Sequence, residues 1–293
     1  MGEGGRVLSL SEVESFGAID ADADELLATC FSTHPAYTAV RELKNFLVLG
    51  RKGSGKTAIY RQIVRSSELD VVAVGHAFDD YPWHHHQLQQ QVGVPEERRY
   101  VHSWRYLILL SMAKLIIRGA DFSSMSDDEF EAVSSLESFV VDSYGSKDPD
   151  MSTLFNPGRR LKFNGGFSFA GINVGIDTLP IEKLPIHVQE VNQAVQELVF
   201  RALDKSIRYY VCFDQLDLGF SPGNKDYEQR LIGLLLAAKD VFNSAKEARI
   251  NLNPAVFLRD DIYQDLSFED KNKITKNYTS RLTWAESEKF TLK

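Results

Sequence analysis

One short run of residues constrains the fold of this chain most, the run GRKGSGKT from Gly50 to Thr57. It fits the pattern G-x-x-x-x-G-K-[ST], in which glycines let the backbone curl so that successive N–H groups point inward at a polyphosphate. The apolar run 46–49 precedes it and a helix-compatible stretch over 58–65 follows. A helix N-terminus at this place adds partial positive charge. The run therefore predicts a phosphate-binding loop between a strand and a helix.

The loop residues have separate predicted roles. Lys56 is expected to reach the β- and γ-phosphates, and the Thr57 hydroxyl is expected to ligate Mg²⁺. We therefore expect ATP and Mg²⁺ as ligands. The residues predicted to bind the nucleotide are Gly50, Arg51, Lys52, Gly53, Ser54, Gly55, Lys56, Thr57 and Ala58. The alternative is a glycine-rich turn that binds nothing.

The composition is that of a globular protein with a core. The 293 residues are 43% hydrophobic and 25% charged, which suits one large or two small domains. The net charge of −8 disfavours binding of nucleic acid over the whole surface. Two cysteines, Cys30 and Cys212, fit a reduced, cytoplasmic protein. The longest apolar stretch, 104–117, is too short to cross a bilayer and carries Arg105 and Lys114, so no membrane contact is expected.

Apolar β-branched runs alternate with helical patterns along the chain. This alternation predicts a three-layer α/β fold with a mainly parallel sheet, because a strand covered on both faces is a continuous apolar run. The predicted strands, numbered in chain order, are 46–49, 70–75, 209–213, 254–258 and 278–284. We expect them to lie across the sheet in the order 5-1-4-3-2, which is written in the same numbers.

The long segment between the second and third predicted strands indicates an insertion. Its helical patterns cover 87–118, with a break near Gly93 and Pro95, then 127–144 and 188–203. Alternation over 167–176 predicts a β-hairpin, and short helices are predicted at 21–31 and 36–43. We expect three parts, which are an N-terminal and phosphate-loop part over 1–80, a mostly helical insertion over 81–205 and the second half of the core over 206–293.

Acidic groups beside the phosphate loop are needed for hydrolysis. Asp214 follows the apolar run 209–213, so its carboxylate should emerge at the carboxyl edge of the sheet, where ligands bind in open sheets. We expect Asp214 and Thr57 to hold Mg²⁺, partly through water. Asp217 is the predicted general base, and Gln215 competes for the role of orienting water. The alternative is an ordinary strand end followed by a helix cap.

The fourth predicted strand is followed by Arg259. Its place between the first and third strands would bring Arg259 close to the γ-phosphate, where a guanidinium can detect that group and stabilise transition-state charge. The alternative is an exposed arginine paired with Asp260 or Asp261. The predicted catalytic set is Lys56, Asp214, Asp217 and Arg259.

The segments GRKGSGKT, FDQLD and FLRDDI together resemble the additional-strand (ASCE) class of P-loop NTPases. The D-x-L-D form at 214–217 is similar to that of the KAP and STAND-like prokaryotic ATPases, which are often linked to defence systems. The resemblance implies Mg²⁺ at Asp214, a catalytic or sensing role for Asp217 and a strand-tip arginine at Arg259. It covers about residues 16–80 and 205–285 and does not extend to the insertion. STAND-like proteins continue into a helical lid, so we expect a longer parent protein or a lid supplied from elsewhere.

These features predict a Mg²⁺-dependent ATPase whose cycle drives conformational change or oligomer assembly. One alternative is a STAND-like switch with little turnover that scaffolds an effector. Another is a small-molecule kinase with a lid at 87–118. The expected partner is a second copy of the chain or an effector protein. Nucleic-acid contact is a further alternative, at Arg159, Arg160 and Lys162 beside Phe167.

Overall fold

The sheet is assembled from strands that lie far apart in the chain. The computed structural model describes residues 31–78, 95–120, 122–123, 125–150, 153, 160–162, 178–180, 184–217 and 223–284. The strands are β1 (Leu47–Gly50), β2 (Val71–Ala77), β3 (Arg160–Lys162), β4 (Thr178–Pro180), β5 (Arg208–Asp214), β6 (Leu252–Asn253), β7 (Val256–Arg259) and β8 (Thr279–Leu282). The main sheet has the order β2-β5-β7-β1-β8, and β6 pairs with β5. All its pairings are parallel, so the predicted mainly parallel α/β sheet is confirmed.

The strand register brings three predicted site residues to one edge of the sheet. β1 lies between β7 and β8, and Gly50 is paired with Arg259 on one side and with Leu282 on the other. Asp214 ends β5, where it is paired with Ala77 of β2. Because these strands are parallel, their carboxyl ends lie on the same side of the molecule.

Helices connect the parallel strands. They are α1 (Pro35–Arg41), α2 (Lys56–Val64), α3 (Val101–Gly119), α4 (Asp127–Tyr144), α5 (Leu184–Ala202), α6 (Lys225–Glu247), α7 (Asp260–Asp265) and α8 (Lys271–Asn277). The helix predicted at 127–144 is confirmed, and it starts with a capping box in which Ser126 and Glu129 satisfy each other's backbone N–H groups. The pattern over 188–203 falls in α5. Helix α3 begins at Val101, after the predicted break near Pro95, and 87–94 lie outside the described residues.

Both faces of the sheet are covered by helices. Successive side chains of a strand point to opposite faces. One cluster joins Leu47, Leu49, Val211 and Phe213 to side chains of α3, α4, α5 and α6. A second cluster joins Val48, Tyr210, Cys212 and Phe257 to α1 and α2. This arrangement is compatible with the predicted three layers. Among the described residues, no helix has the length and apolar character needed to cross a membrane.

Helices of the segment 81–205 share the hydrophobic cluster of the sheet. Trp104 of α3 is 0% exposed, and its indole N–H donates to the carbonyl of Arg230 in α6 at 2.8 Å. Its ring also meets the ring of Phe213 edge-on, with centroids 5.9 Å apart. This packing joins α3 to both the sheet and α6. The division of the chain after residues 80 and 205 stays a prediction.

Three other predictions are tested only in part or lie outside the described residues. The hairpin span 167–176 and the helix at 21–31 lie outside the described residues, although β3 and β4, which flank that hairpin span, pair with each other in the antiparallel sense. The strand predicted from residue 254 begins later, at Val256. Pro254 separates β6 from β7, because proline has no N–H to donate to a neighbouring strand.

A histidine on β2 gives the fold a defined dependence on pH. The Nε2 atom of His76 lies 2.9 Å from Ser111 Oγ, and its ring stacks on Phe213. Burial, with a smaller contribution from the positive charge of Lys114, lowers the pKa of His76 from 6.5 to about 4. Between these pH values the unfolded chain binds a proton here that the folded chain does not bind.

The free energy of unfolding should therefore fall as the pH falls from 6.5 towards 4. We expect this histidine to account for a loss of about 2 kcal/mol. His76→Gln keeps a hydrogen-bonding side chain but removes the titration, so it should lose less stability across the same window. Urea unfolding of both proteins at several pH values measures the difference, and equal losses would contradict the assignment.

Candidate functional site

The loop after β1 follows a path that depends on its glycines. A methyl group at Gly50 would lie 2.4 Å from Ser54 Oγ and 3.3 Å from Leu282 Cβ, so a side chain there would require Ser54 to rotate and the end of β8 to shift. Gly53 and Gly55 have φ of +76° and +98°, in the left-handed region that other residues rarely adopt. Gly55 is also the N-cap of α2 and offers no side-chain acceptor to the first N–H groups of the helix. N–H groups of this kind, left at a helix N-terminus without a side-chain cap, are able to bind an anion.

Residues 50–58 form one continuous turn from the strand into the helix, as predicted. Arg51, Lys52 and Gly53 are exposed, whereas residues 54–58 are half-buried. The ammonium group of Lys56 donates to the carbonyl oxygens of Gly50 at 3.1 Å and Arg51 at 2.9 Å. The lysine thus folds back over the loop that precedes it.

The charge on Lys56 is balanced by acids from other strands. Burial lowers the pKa of Lys56, and the nearby carboxylates of Asp214 and Asp217 oppose that shift. Arg259 lowers it further, and Asp261 raises it. Asp214, Asp217 and Arg259 are therefore all near enough to Lys56 to affect its charge.

Asp214 is the buried acid of the site. It is only 3% exposed, and the hydroxyl of Thr57 lies close enough to its carboxylate to favour the charged form. Burial raises the pKa of Asp214, while the Thr57 hydroxyl, the Gln215 backbone N–H and the charge of Lys56 each oppose the rise. Its Oδ2 atom is buried without any hydrogen-bond partner, as is Ser54 Oγ on the loop. An unpartnered buried carboxylate oxygen is unfavourable unless it has a further ligand to bind.

These atoms have the right chemistry for a magnesium ion. Mg²⁺ prefers hard oxygen ligands and keeps several waters, binding proteins through one or two carboxylates and through the phosphates of a substrate. The Thr57 hydroxyl and the unpartnered Asp214 oxygen provide such ligands at the phosphate loop. Among the described residues, no group of three or more His, Cys, Asp or Glu side chains forms a metal site by itself.

A left-handed residue turns the chain just after Asp214. Gln215 has φ of +58°, which is uncommon for a residue other than glycine. Its backbone N–H donates to the Asp214 carboxylate, and the turn brings Asp217 back to the site. Sequence reasoning considered Gln215 only for its side chain and missed this backbone role, because a glutamine carries no sequence signal of positive φ.

Arg259 contacts two acids at the tip of β7. Its guanidinium lies 3.3 Å from Asp217 Oδ2 and 3.0 Å from Asp261 Oδ1. Hydrogen bonding to Asp261, with a further contribution from Asp217, raises the pKa of Arg259, and Arg259 in turn lowers the pKa of Asp261. The pairing with Asp261 that the sequence left open is present, while Asp260 pairs with Arg281. Arg259 also belongs to the predicted set of side chains, because its guanidinium pairs with Asp217.

A cleft of about 510 Å³ opens beside the outer side of the loop. It is lined by the loop residues 50–54, by Asp260 and by residues 281–284, which include the end of β8 and the two residues after it. The indole N–H of Trp284 donates to the carbonyl of Ser54 at 3.0 Å. Sequence reasoning did not include Trp284 in the site. A tryptophan just after the last strand was the available signal, but its contact with the loop appears only in the tertiary structure.

The nucleic-acid contact that the sequence offered as an alternative is not tested by the described residues. Arg160 and Lys162 lie in β3, and Arg159 and Phe167 fall outside the described residues, so the nucleic-acid contact stays a prediction.

A scan against family models finds no match, and searches of curated proteins and of solved structures find none either.

Removing the Asp214 charge should stabilise the nucleotide-free protein. Asp214→Asn keeps the side-chain shape and an acceptor for Thr57, and it replaces a buried carboxylate that has an unpartnered oxygen. We expect the free energy of unfolding at neutral pH to rise by about 1 kcal/mol.

The gain should shrink as the pH falls from neutral towards 3.8, because the raised pKa makes the folded wild type take up its proton at a higher pH than the unfolded chain does. Below 3.8 the carboxyl is protonated in both states and the gain is lost. Asp217→Asn is the matched control, since it removes an ion pair with Arg259 and should not stabilise the protein. Chemical unfolding at neutral and acidic pH measures both variants. A neutral-pH loss of stability in Asp214→Asn would contradict the assignment.

Proposed function

We propose that this chain binds ATP with Mg²⁺ at the loop Gly50–Thr57 and hydrolyses the nucleotide. The observation that carries the proposal is the buried carboxylate of Asp214, which has an unpartnered oxygen and lies near Thr57 and Lys56 of the loop. A phosphate-loop motif alone indicates only binding of a phosphate. A buried acid from another strand, placed beside the hydroxyl of the motif, adds the oxygen ligands that a Mg²⁺–nucleotide complex needs.

We also propose that the protein is a P-loop NTPase of the additional-strand class. The order β2-β5-β7-β1-β8 supports this proposal, since β7 lies as an additional strand between β1 of the phosphate loop and β5 of the acid. The proposed roles follow from placement in the fold. N–H groups at the start of α2 bind phosphate oxygens, and Lys56 exchanges the loop carbonyls for the β- and γ-phosphates. Thr57 and Asp214 hold Mg²⁺, which when bound neutralises phosphate charge.

The contact between Arg259 and Asp217 implies that the Arg259 side chain moves during the proposed catalytic cycle. Both side chains are half-buried and contact each other, so the carboxylate that would orient water is neutralised. A γ-phosphate carries more negative charge than a single carboxylate and attracts the guanidinium away from Asp217. Asp217 is then free to orient the attacking water, while Arg259 stabilises the charge on the phosphoryl group.

The same ion pair favours a second candidate function. A nucleotide that fails to draw Arg259 away from Asp217 would stay bound without being hydrolysed, which is the behaviour of a switch. In that case ATP and ADP would set different assembly states, as in the proposed STAND-like alternative. Size-exclusion chromatography in each nucleotide, run beside a phosphate-release assay, separates the two candidates.

Loss of the loop lysine should greatly weaken nucleotide binding. Lys56→Ala removes a half-buried cation whose ammonium group lies over the loop carbonyls. We expect the affinity for Mg²⁺–ATP to fall about 100-fold, measured by isothermal titration calorimetry. Lys273→Ala is the control, because this lysine is 76% exposed and belongs to α8. Unchanged affinity in Lys56→Ala would refute the proposed site.

Asp217→Asn should bind ATP and hydrolyse it slowly. We expect kcat to fall about 100-fold with little change in KM, since the carboxylate acts on water and not on the bound nucleotide. Asp261→Asn is the matched control, because it also removes a carboxylate that pairs with Arg259. Single-turnover phosphate release measures both. If the two variants slow hydrolysis equally, Asp217 acts only by holding Arg259 and is not the general base.

A further inference from the structure

An exposed tryptophan stands beside the phosphate loop. Trp284 is 58% exposed and lines the cleft of about 510 Å³ next to residues 50–54. Large aromatic side chains contribute most when they bury their rings, so an indole left open to a cleft has an unused apolar face. Phe122 and Phe130 are also exposed, but their rings contact each other edge-on.

The indole is held in place by contacts at its edge. Its N–H donates to the Ser54 carbonyl at 3.0 Å, which ties the ring to the loop itself. The ring of His34 meets it at 66° with centroids 5.3 Å apart, and His34 Nε2 lies 3.2 Å from the carbonyl of Thr283. A ring that is already ordered loses little conformational entropy when a second flat ring stacks on it.

The cleft has the charge and size to suit a nucleotide. Arg51 and Lys52 are exposed cations along its rim, and Arg281 lies further along it, paired with Asp260. Its volume falls within the roughly 300–1,000 Å³ of small-molecule sites. A ligand with an anionic tail and a flat aromatic end would place the tail on the loop amides and the flat end on the indole.

We propose that Trp284 is the stacking platform for the nucleobase of the nucleotide whose phosphates bind the loop. This inference rests on the proposed function, and it adds a subsite for an aromatic base. Stacking depends on ring area and not on a pattern of base-edge hydrogen bonds, so the platform accepts any base. Purine nucleotides, which have the larger ring, bind more tightly than pyrimidine nucleotides, and ATP and GTP bind with similar affinity.

Tryptophan fluorescence tests the contact directly. The chain has three tryptophans, of which Trp104 is 0% exposed and Trp83 lies outside the described residues. In a Trp83→Phe background the solvent-accessible signal therefore comes from Trp284. Mg²⁺–ATP should quench this signal, and Mg²⁺–tripolyphosphate, which has the phosphates but no base, should bind without quenching it.

Affinity measurements distinguish a tryptophan that stacks on the base from one that only holds the loop in place. Trp284→Ala should weaken binding of ATP roughly tenfold and leave binding of tripolyphosphate unchanged. Trp284→Phe keeps an aromatic face and should retain most of the affinity for ATP. Phe130→Ala removes an exposed aromatic ring from α4 and is the control that should leave the affinity for both ligands unchanged.

The outcomes distinguish this inference from the proposed function. If both ligands bind to the wild type but ATP does not quench Trp284, the platform is overturned and the phosphate site stands. An equal loss of ATP and tripolyphosphate affinity in Trp284→Ala also overturns it, because the tryptophan then acts by holding the Ser54 carbonyl. If neither ligand binds to the wild type, the proposed function fails, and the platform fails with it.

Discussion

The burial of the Asp214 carboxylate beside the phosphate loop is the constraint on which the rest of the site depends. It brings the end of β5 next to Thr57 in the first turn of α2, although β7 separates β5 from β1 in the sheet. A carboxylate this deeply buried is tolerated only when donors and cations surround it. The loop, the acid strand and Lys56 therefore have to be placed together, and the parallel sheet does this by aligning the carboxyl ends of its strands.

Packing behind the loop fixes the direction of α2 in the same way. A methyl group at Gly75 of β2 would lie 2.1 Å from the hydroxyl oxygen of Tyr60, so the tyrosine of α2 rests directly on the strand backbone. Tyr60 also meets the ring of Phe257 on β7 edge-on, with centroids 6.0 Å apart. The side chain of Tyr60 thus contacts both β2, which pairs with β5, and β7, which pairs with β1. The helix cannot turn without disturbing these contacts, and its N-terminus stays directed at the site.

The positively charged side chains of the site already pair with acceptors of the protein itself. Lys56 donates to loop carbonyls, and Arg259 is divided between Asp217 and Asp261. Each contact is half-exposed and moderate in strength, so a polyphosphate with several negative charges can replace it. In the proposed function, such a site is preorganised in position, yet it requires side chains to change partners before chemistry. That requirement would connect the two proposed functions, hydrolysis and switching, since both would depend on how readily Arg259 leaves Asp217.

Local sequence signals determined the loop, the strand that bears Asp214, the main helices and the parallel α/β character of the sheet. Each of these depends on the periodicity or chemistry of neighbouring residues, as with the glycines at Gly53 and Gly55 or the apolar run before Asp214. Only the tertiary structure decided how closely Thr57 approaches Asp214, how Arg259 shares its contacts and where Trp284 lies against Ser54. These contacts join residues from separate strands and loops, and their geometry arises from the packing of side chains and loops against the sheet, which no local pattern encodes.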